Sequence, residues 1–430
     1  MQQAGREAGR QAAELAQEHV SSDRLREAIA QLAAFGGRDD GGVSRETLTD
    51  VDLQARRHLV ERARALGCEV GIDDCANLFF RRPGRRDLPP VLTGSHADTQ
   101  PVGGKLDGAY GVVAALEVIQ ALDDAGVQTE RPIEVVAWTN EEGSRFGPGC
   151  MGSSAFVEPQ RLAGFRAALD GGQLTFGEAL DRALQAMADV PRCALARPLA
   201  GYVELHIEQG PVLEGAGVPL GVVTGIQSVR WYRVKVSGVA AHAGTTPMEL
   251  RADAMAACVE MAHRLYAQAA RAAGSHLRLT LGRWVVAPNS INTIPGEVEF
   301  TIDVRCVDEA ALATFDGALR EIVGTQAGRC RAELQLLFKR ASTRFPQDML
   351  ALLQEAGASA CSAAGRPGPM PVTSGAFHDA MYLADHCPTA MLFVPSRGGL
   401  SHNAAEDTAH DDLVLGTRAL AYAVARLAAA

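Results

Sequence analysis

Short apolar runs alternate with helix-like patterns through the first half of the chain. The apolar runs are VLTG (91–94), IEVVAW (133–138) and YVELHI (202–207). The stretch from Ala109 to Leu122 between the first two runs has helical spacing. Strands that are apolar on both faces and separated by helices are typical of a mostly parallel sheet covered by helices. This part of the chain is therefore predicted to be an α/β domain.

The pattern changes beyond Gly225, where polar and apolar residues alternate. In EVEFTIDVR (297–305) every second residue is apolar, which places the apolar side chains on one face of a strand. The predicted elements here are strand 229–237, helix 252–270, strand 277–286, strand 297–305, helix 309–324 and strand 331–338. This β-α-β-β-α-β order predicts a ferredoxin-like α+β domain with one open sheet face.

The helical pattern after Pro346 and the apolar run AMLFVP (390–395) indicate that the first domain resumes near the end of the chain. A chain of 430 residues is also too long for one comfortable hydrophobic core. The predicted organisation is a first domain over 20–224 and 339–430, an inserted domain over 225–338, and an N-terminal extension over 1–19 that is either a helix or a frayed tail.

Net charge and cysteine content indicate which partners and which cellular compartment to expect. The formal net charge of −10 argues against nucleic acid, because phosphate binding needs a basic surface. The nine cysteines are scattered without C-x-x-C spacing, which fits a reducing compartment. The first twenty residues lack the apolar core of a signal peptide, and no later stretch has membrane-spanning length. We therefore expect a cytoplasmic protein without a membrane partner.

Ionisable residues cluster where the predicted strands end. They are His96 and Asp98 after VLTG, Glu141 and Glu142 after IEVVAW, His206 in YVELHI, His402 after AMLFVP, and Asp107 directly before a helix. Ligands of open parallel sheets bind beyond the carboxyl ends of the strands. A single histidine is more often structural, but their shared location at strand ends favours one functional site.

Three imidazoles with two or three carboxylates form a mixed nitrogen and oxygen donor set. Such a set suits Zn, Mn, Co or Ni, and a carboxylate that bridges two ions permits a two-metal site. If Glu142 binds a metal, its neighbour Glu141 remains available as a general base that takes a proton from water. Asp98 is placed to accept the other N–H of His96 and so orient that ring, or alternatively to cap a turn.

Seven segments of the chain together resemble one family. They are GSHADTQPVGGKLDG, WTNEEGSRF, ELHIEQGPVLE, GVAAHAGTTPM, NTIPGEVEFTIDVR, SGAFHDA and GGLSHNAAE. Over about residues 40–425 the chain resembles the amidases of the hydantoinase/carbamoylase family. That family holds N-carbamoyl-L-amino-acid hydrolases, β-ureidopropionases and allantoate amidohydrolases, and it is related to aminoacylase-like dinuclear metallopeptidases.

The resemblance implies roles for the clustered residues. One of two divalent ions would be held by His96, Asp107 and His206, and the other by Asp107, Glu142 and His402. Asp107 would bridge the ions, and Glu141 would be the catalytic base. The inserted ferredoxin-like domain would form a homodimer.

The resemblance also implies contacts to the substrate. His242 would reach across from the partner subunit to stabilise an oxyanion, and Arg305 would hold the substrate carboxylate as a two-pronged clamp. Gln209, Asn292 and Gly399 would contribute polar or backbone contacts to the substrate. His378 matches a family motif but is assigned no chemistry.

The activity that these roles imply is metal-dependent hydrolysis of a ureido C–N bond. An N-carbamoyl-L-amino acid, or N-carbamoyl-β-alanine, would give the amino acid, carbon dioxide and ammonia. An allantoate amidohydrolase is the nearest alternative, and an acyl-amino-acid or peptide amide hydrolase is a third. A carrier protein is the alternative from another class, but a pocket kept only for binding would not need the free base Glu141.

Overall fold

The chain forms two units in the computed structural model, which describes residues 2–272 and 276–429. One unit comprises Met1–Thr224 and Phe345–Ala430, and the other comprises Gly225–Arg344. The strands are β1 Glu69–Ile72, β2 Leu78–Arg82, β3 Val91–His96, β4 Ile133–Trp138, β5 Gly201–Ile207, β6 Gly221–Ile226, β7 Ser228–Ser237, β8 Ala241–His242, β9 Arg278–Ala287, β10 Thr293–Ile294, β11 Glu297–Cys306, β12 Arg331–Arg340, β13 Thr343–Arg344, β14 Met370–Ser374 and β15 Thr389–Val394.

The α-helices cover both units. They are α1 Gln2–Glu18, α2 Ser22–Ala33, α3 Asp50–Ala65, α4 Ala109–Asp124, α5 Met151–Val157, α6 Arg161–Phe165, α7 Phe176–Ala186, α8 Val212–Ala216, α9 Ala254–Arg271, α10 Glu309–Thr325, α11 Gln347–Ala363, α12 Ala380–Leu383 and α13 His410–Ala428. Within the described ranges, short 3-10 turns lie at Met248–Leu250 and Arg397–Gly399.

The sheet of the first unit has parallel strands at its centre. Its strand order is β1-β2-β4-β3-β5-β15-β6, with β14 paired to β6. The pairs β4-β3, β3-β5 and β5-β15 are parallel, whereas β1, β2 and β6 add antiparallel pairs at the sides. The predicted parallel, helix-covered sheet is confirmed, with antiparallel strands added on both sides of it. The carboxyl ends of β4, β3, β5 and β15 consequently meet at one edge.

Helix α4 packs against β3 and β5 more closely than most side chains allow. At Gly111 a Cβ atom would lie 2.4 Å from the carbonyl oxygen of Leu205, so only glycine fits. At Gly108, which caps the helix with φ +62°, a Cβ would lie 2.3 Å from Nε2 of His96. These two glycines bring the start of α4, and with it Asp107, up to the strand ends.

Residues before position 20 belong to the first unit instead of standing apart from it. Residues 2–18 form α1, which packs along α13, and Ala13 and Ala16 are fully buried. The two possibilities left open by the sequence are thereby resolved in favour of a packed helix. The described residues include no helix that is both long and apolar enough to cross a membrane. None of the nine cysteines forms a disulfide in the part of the chain that is described.

The second unit has the predicted β-α-β-β-α-β order in β7, α9, β9, β11, α10 and β12. Its antiparallel sheet has strand order β12-β7-β11-β9, and the short ribbon β8-β10 lies outside it. Apolar residues of β11 such as Phe300 alternate with polar ones and are buried with Met261 of α9 and Phe315 of α10. The ferredoxin-like fold is confirmed, although β12 ends at Arg340, two residues beyond the predicted strand.

Candidate metal centre

The site lies at the sheet edge where the parallel strands of the first unit end. His96 is the last residue of β3, and it pairs in register with Trp138, the last residue of β4. His206 of β5 pairs with Phe393 near the end of β15. Because these strands run in the same direction, residues that follow β4 and β15 emerge beside the two histidines. The parallel direction of these strands brings the residues predicted for one shared site to the same edge of the sheet.

Two groups of possible metal ligands share one carboxylate. The first group is His96, Asp107 and His206, and the second is Asp107, Glu142 and His402; within each group the ligand atoms lie within 4.8 Å of one another. Oδ1 of Asp107 lies 3.2 Å from Nε2 of His206, and Oδ2 lies 3.3 Å from Nε2 of His402. The two oxygens of Asp107 therefore face different histidines, as a carboxylate that bridges two ions requires. Imidazole nitrogens and carboxylate oxygens are donors that suit Zn, Mn, Co and Ni.

Glu141 stands beside these groups without joining either of them among the described residues. Its Oε2 lies 3.5 Å from Nε2 of His96, and its side chain is 9 % exposed. The thiol of Cys150 lies 3.5 Å from the other carboxylate oxygen, and the amide of Cys150 donates to the backbone carbonyl of Glu141. Asn140 holds the following loop, since its Nδ2 donates to the carbonyls of Phe146 and Pro148. Glu141 is thus close to the centre and held in place, yet free of both donor sets.

Asp98 contacts His96 through its backbone, while its carboxylate accepts backbone amides. The acceptor closest to Nδ1 of His96 is the backbone carbonyl of Asp98 at 2.9 Å, whereas the carboxylate lies 3.8 Å away. The carboxylate instead accepts the amides of Glu141 and Glu142 at 3.3 Å each. Asp98 therefore orients His96 through its backbone and the two glutamates through its side chain.

Gln209, which the sequence predicts to contact the substrate, hydrogen-bonds to two residues of the site. Its Nε2 donates to Oδ2 of Asp107 at 2.8 Å and to Oγ of Ser401 at 3.2 Å. Its Oε1 is buried and accepts no hydrogen bond within the described part of the chain. The amide therefore supports Asp107 with one end and keeps an acceptor available at the other.

The electrostatics of the cluster show an excess of carboxylates. Burial raises the pKa of Glu141 well above its usual range, and burial with the charge of Asp107 raises the pKa of Glu142 to about 7. Burial also acts to raise the pKa of Asp107, but its contacts with three histidines hold that pKa well below its usual range. Hydrogen bonding to Asp107 raises the pKa of His402 to about 9. Acidic groups that compete for protons at such short range fit a centre that holds divalent cations.

A second buried layer behind His206 contains residues to which the sequence assigned no role. Glu204 accepts a hydrogen bond from Oγ of Ser95 at 2.7 Å and from the amide of Ala380 at 2.9 Å. The His378 ring packs edge-on against the His206 ring with centroids 4.7 Å apart. Glu204, His206 and His378 also form a third group of possible ligands. The charged residue inside the apolar run YVELHI is the sequence signal that could have identified Glu204.

Glu406 and Ser401 also contact the site and were not predicted. Glu406 is 3 % exposed and accepts the amides of Leu106 and Asp107, while Ser401 contacts both Glu406 and Asp107. Both residues lie within GGLSHNAAE, so the acid that closes this motif was the available signal. Gly399 lies in the turn before His402 with φ +65°, and a Cβ atom there would lie 2.9 Å from the backbone nitrogen of Pro211.

The remaining predicted residues belong to the second unit. His242 in β8 pairs with Thr293 in β10, and the amide of Ala243 donates to the carbonyl of Asn292, so His242 and Asn292 are near neighbours. Both side chains are exposed. Arg305 in β11 is half-buried and makes a two-pronged ion pair with Asp303, with nitrogen–oxygen distances of 2.8 and 2.9 Å. His242 and Asn292 thus lie close together in the ribbon of β8 and β10, whereas Arg305 lies on a different strand of this unit.

Comparison with known proteins identifies relatives along nearly the whole chain. The model of the peptidase family M20/M25/M40 matches residues 92–426. An N-carbamoyl-L-amino-acid amidohydrolase from Rhizobium meliloti is 36 % identical over 410 residues, which cover 94 % of this chain and 96 % of that protein. An allantoate amidohydrolase from Bacillus subtilis is 34 % identical over 411 residues, which cover 93 % of this chain and 96 % of that protein.

A solved structure extends the similarity to three dimensions. It is an amidase of the hydantoinase/carbamoylase family from Burkholderia vietnamiensis, with 41 % sequence identity and a TM-score of 0.86. The alignment covers 96 % of this chain and 98 % of that one. The similarity therefore includes both units and every segment that carries a candidate site residue.

Proposed function

Because this chain belongs to the peptidase family M20/M25/M40, and within it to the hydantoinase/carbamoylase amidases, we propose that it hydrolyses N-carbamoyl-L-amino acids or N-carbamoyl-β-alanine. The products would be the amino acid, carbon dioxide and ammonia. The observation that carries this proposal is Glu141, a buried carboxylate beside two donor groups that do not include it. The name of the Rhizobium relative supplies the substrate class.

The family is metal-dependent, and the donor groups described above fit two divalent ions. We propose that His96, Asp107 and His206 hold one ion and that Asp107, Glu142 and His402 hold the other. When bound, such ions lower the pKa of water and polarise a carbonyl group. The absence of thiolates from both groups gives zinc no advantage over manganese, cobalt or nickel.

The role proposed for Glu141 is the transfer of a proton. Its carboxylate would accept a proton from the attacking water and later deliver it to the leaving nitrogen. Burial excludes bulk water from this carboxylate, and Cys150 and the Asn140 loop restrict its position. A group with fixed geometry in a mostly dry site suits proton transfer over a short distance.

His242 is proposed to reach across from the partner subunit and stabilise the oxyanion that forms on the attacked carbonyl. The amide of Gly244 donates to Nδ1 of His242 at 3.0 Å, so the neutral ring carries its proton on Nε2 and can donate there. Oε1 of Gln209, which accepts no hydrogen bond from any described residue, would accept an N–H of the ureido group. Arg305 would clamp the substrate carboxylate only if it exchanges its ion pair with Asp303. Asn292 and Gly399 complete the proposed substrate contacts.

A homodimer formed through the inserted unit is part of the same proposal. Trp284, Leu336 and Leu337 of this unit are exposed, and apolar groups of this size favour burial against a partner. Light scattering should then give twice the chain mass of 45.4 kDa. We also propose a cytoplasmic location, which is consistent with nine cysteines that form no disulfide in the described residues.

The test is ammonia release by protein loaded separately with Mn, Co, Ni or Zn. N-carbamoyl-L-amino acids, N-carbamoyl-β-alanine and allantoate are the substrates, and Glu141→Gln is the control. Turnover of a carbamoyl substrate by the wild type alone supports the proposal. Turnover of allantoate alone would favour the second candidate, for which the Bacillus relative is the specific observation. A metal-loaded wild type that turns over none of them would contradict both and revive the carrier alternative.

A further inference from the structure

Glu406 is a buried carboxylate that belongs to neither donor group within the described residues. It lies four residues beyond His402, in the loop between β15 and α13. Its Oε1 accepts the backbone amides of Leu106 and Asp107, each at 3.0 Å. Its Oε2 accepts the hydroxyl of Ser401 at 2.9 Å. Glu406 thus joins the segment that carries His402 to the segment that carries Asp107.

Ser401 extends this connection to the Asp107 carboxylate. Its Oγ lies 2.9 Å from Oδ2 of Asp107 as well as 2.9 Å from Glu406. A hydroxyl has one proton, so the two carboxylates share a single donor. Gln209 adds a second donor to the same Oδ2 at 2.8 Å. Oδ2 of Asp107 consequently lies between Gln209 and the shared Ser401 hydroxyl, and Oδ1 faces His206.

We propose that Glu406 is a positioning residue that fixes the orientation of the Asp107 carboxylate, so that each of its oxygens faces one donor group. The inference rests on the proposed function only in that Asp107 bridges two ions. A bridging carboxylate must keep its plane aligned with both ions, since rotation about its Cβ–Cγ bond removes an oxygen from one of them. Glu406 opposes that rotation through the backbone of Asp107 and through Ser401. Outer hydrogen bonds of this kind commonly determine how tightly a metal is held.

The space around Glu406 provides an independent way to displace it. A Cβ atom at Gly104 would lie 2.0 Å from Oε1 of Glu406, so an alanine there must push the carboxylate aside. Gly104 has no left-handed backbone angle that would strain an alanine by itself. Gly104→Ala should therefore reproduce the loss of Glu406 while the glutamate remains in the chain.

The experiment is calorimetric titration of the metal-free full-length protein with Mn²⁺ and with Zn²⁺. Glu406→Ala and Gly104→Ala are expected to weaken ion binding by about 10–100-fold. Glu406→Gln should lose less affinity for the ions, because its amide oxygen can still accept hydrogen bonds from both backbone amides. Asp407→Asn is the matched control, since this neighbouring carboxylate makes half-exposed ion pairs with Arg397 and Lys105 and should leave affinity unchanged.

The outcomes separate this inference from the proposed metal centre. If the wild type binds fewer than two ions, the proposed centre is wrong, and the role of Glu406 is overturned with it. If the wild type binds two ions and all three variants bind them as tightly, the positioning role alone is overturned. Thermal unfolding and circular dichroism of the metal-free variants check folding. Should Glu406→Ala fail to fold, Glu406→Gln and Gly104→Ala decide the question on the same affinity scale.

Discussion

Arg56 and Asp52 form a buried ion pair within α3, and the Arg56 guanidinium also connects this helix to the segment before Glu141. Nε of Arg56 lies 2.7 Å from Oδ2 of Asp52, and the side chains are 2 % and 0 % exposed. The other guanidinium nitrogens donate to the carbonyl of Ala76 at 2.7 Å and to Oγ1 of Thr139 at 3.1 Å. Replacing Arg56 with methionine keeps most of the volume but removes the ion-pair partner of the buried Asp52 carboxylate, leaving it only the charge attraction of the buried Arg45.

The size of the effect follows from burial. Removing one partner of a buried ion pair costs about 3–5 kcal/mol, because the remaining charge is neither solvated nor paired. At about 2 °C per kcal/mol for a unit of this size, Arg56→Met should lower the melting temperature by about 6–10 °C. Asp52→Asn in the same chain removes the stranded charge while its amide oxygen can still accept the amide of Leu48. The double variant should therefore be more stable than Arg56→Met alone.

The assay is thermal unfolding of the metal-free protein, so that ion binding adds no stability of its own. Arg57→Met is the matched control, because Arg57 pairs with Asp189 at 2.8 Å but the two side chains are 32 % and 50 % exposed. An exposed pair contributes about 0–1 kcal/mol, so this variant should melt within about 2 °C of the wild type. A double variant that melts no higher than Arg56→Met would refute the reasoning that the stranded charge causes the loss.

Three further predictions concern the site. Glu141→Gln should lower kcat by about 10²–10⁴-fold with ion content unchanged by mass spectrometry, and loss of an ion would contradict its role as the base. Asp107→Ala should lose both ions in equilibrium dialysis, whereas His402→Ala should keep one; equal loss in the two variants would argue against a shared carboxylate. Gly111→Ala should cost about 1–3 kcal/mol in thermal unfolding, because its Cβ meets a carbonyl of β5 at 2.4 Å. Gly164→Ala, where a Cβ meets nothing within 4 Å, should leave the free energy of unfolding almost unchanged. Similar losses of stability in the two variants would contradict this packing argument.

The parts of the fold that could be predicted are those governed by local patterning. The continuous apolar run of β4 and the alternation along β11 each report directly on how many faces of a strand are buried. The antiparallel strands β1, β2 and β6 at the sides of the first sheet were missed, because pairing direction depends on which distant segments meet. The packing of α1 on α13 was left open for the same reason, since an Ala-rich helix is buried only if a partner is present.

The candidate site shows the same division. His96 and His206 lie at the ends of their strands and the two glutamates follow β4, so their convergence could be inferred once the strands were predicted to be parallel. The contacts of Gln209 and Asp98 could not, because a side chain can reach several partners and only the folded backbone selects among them. Glu406 was missed because its partners, the amides before α4, lie about three hundred residues away in the chain. Spacing within a motif indicates which residues could bind a metal or transfer a proton. It does not show which distant residues hold those side chains in position.

Backbone strain at the site has a direct structural use. Asn140, Gln209 and His402 have φ values of 56°, 57° and 54°, in the left-handed region that residues other than glycine rarely adopt. Each follows a strand of the parallel core, and such strain costs of order 1–3 kcal/mol per residue. In return, the side chain of Gln209 contacts Asp107, that of His402 contacts both Asp107 and Glu142, and that of Asn140 holds the loop after Glu141. Glycine would relieve the backbone strain at any of these positions, but it would also remove the side chain that makes the contact. The strain therefore lowers the stability of the first unit, and the side chains that it directs hold Asp107 and the loop after Glu141 in place.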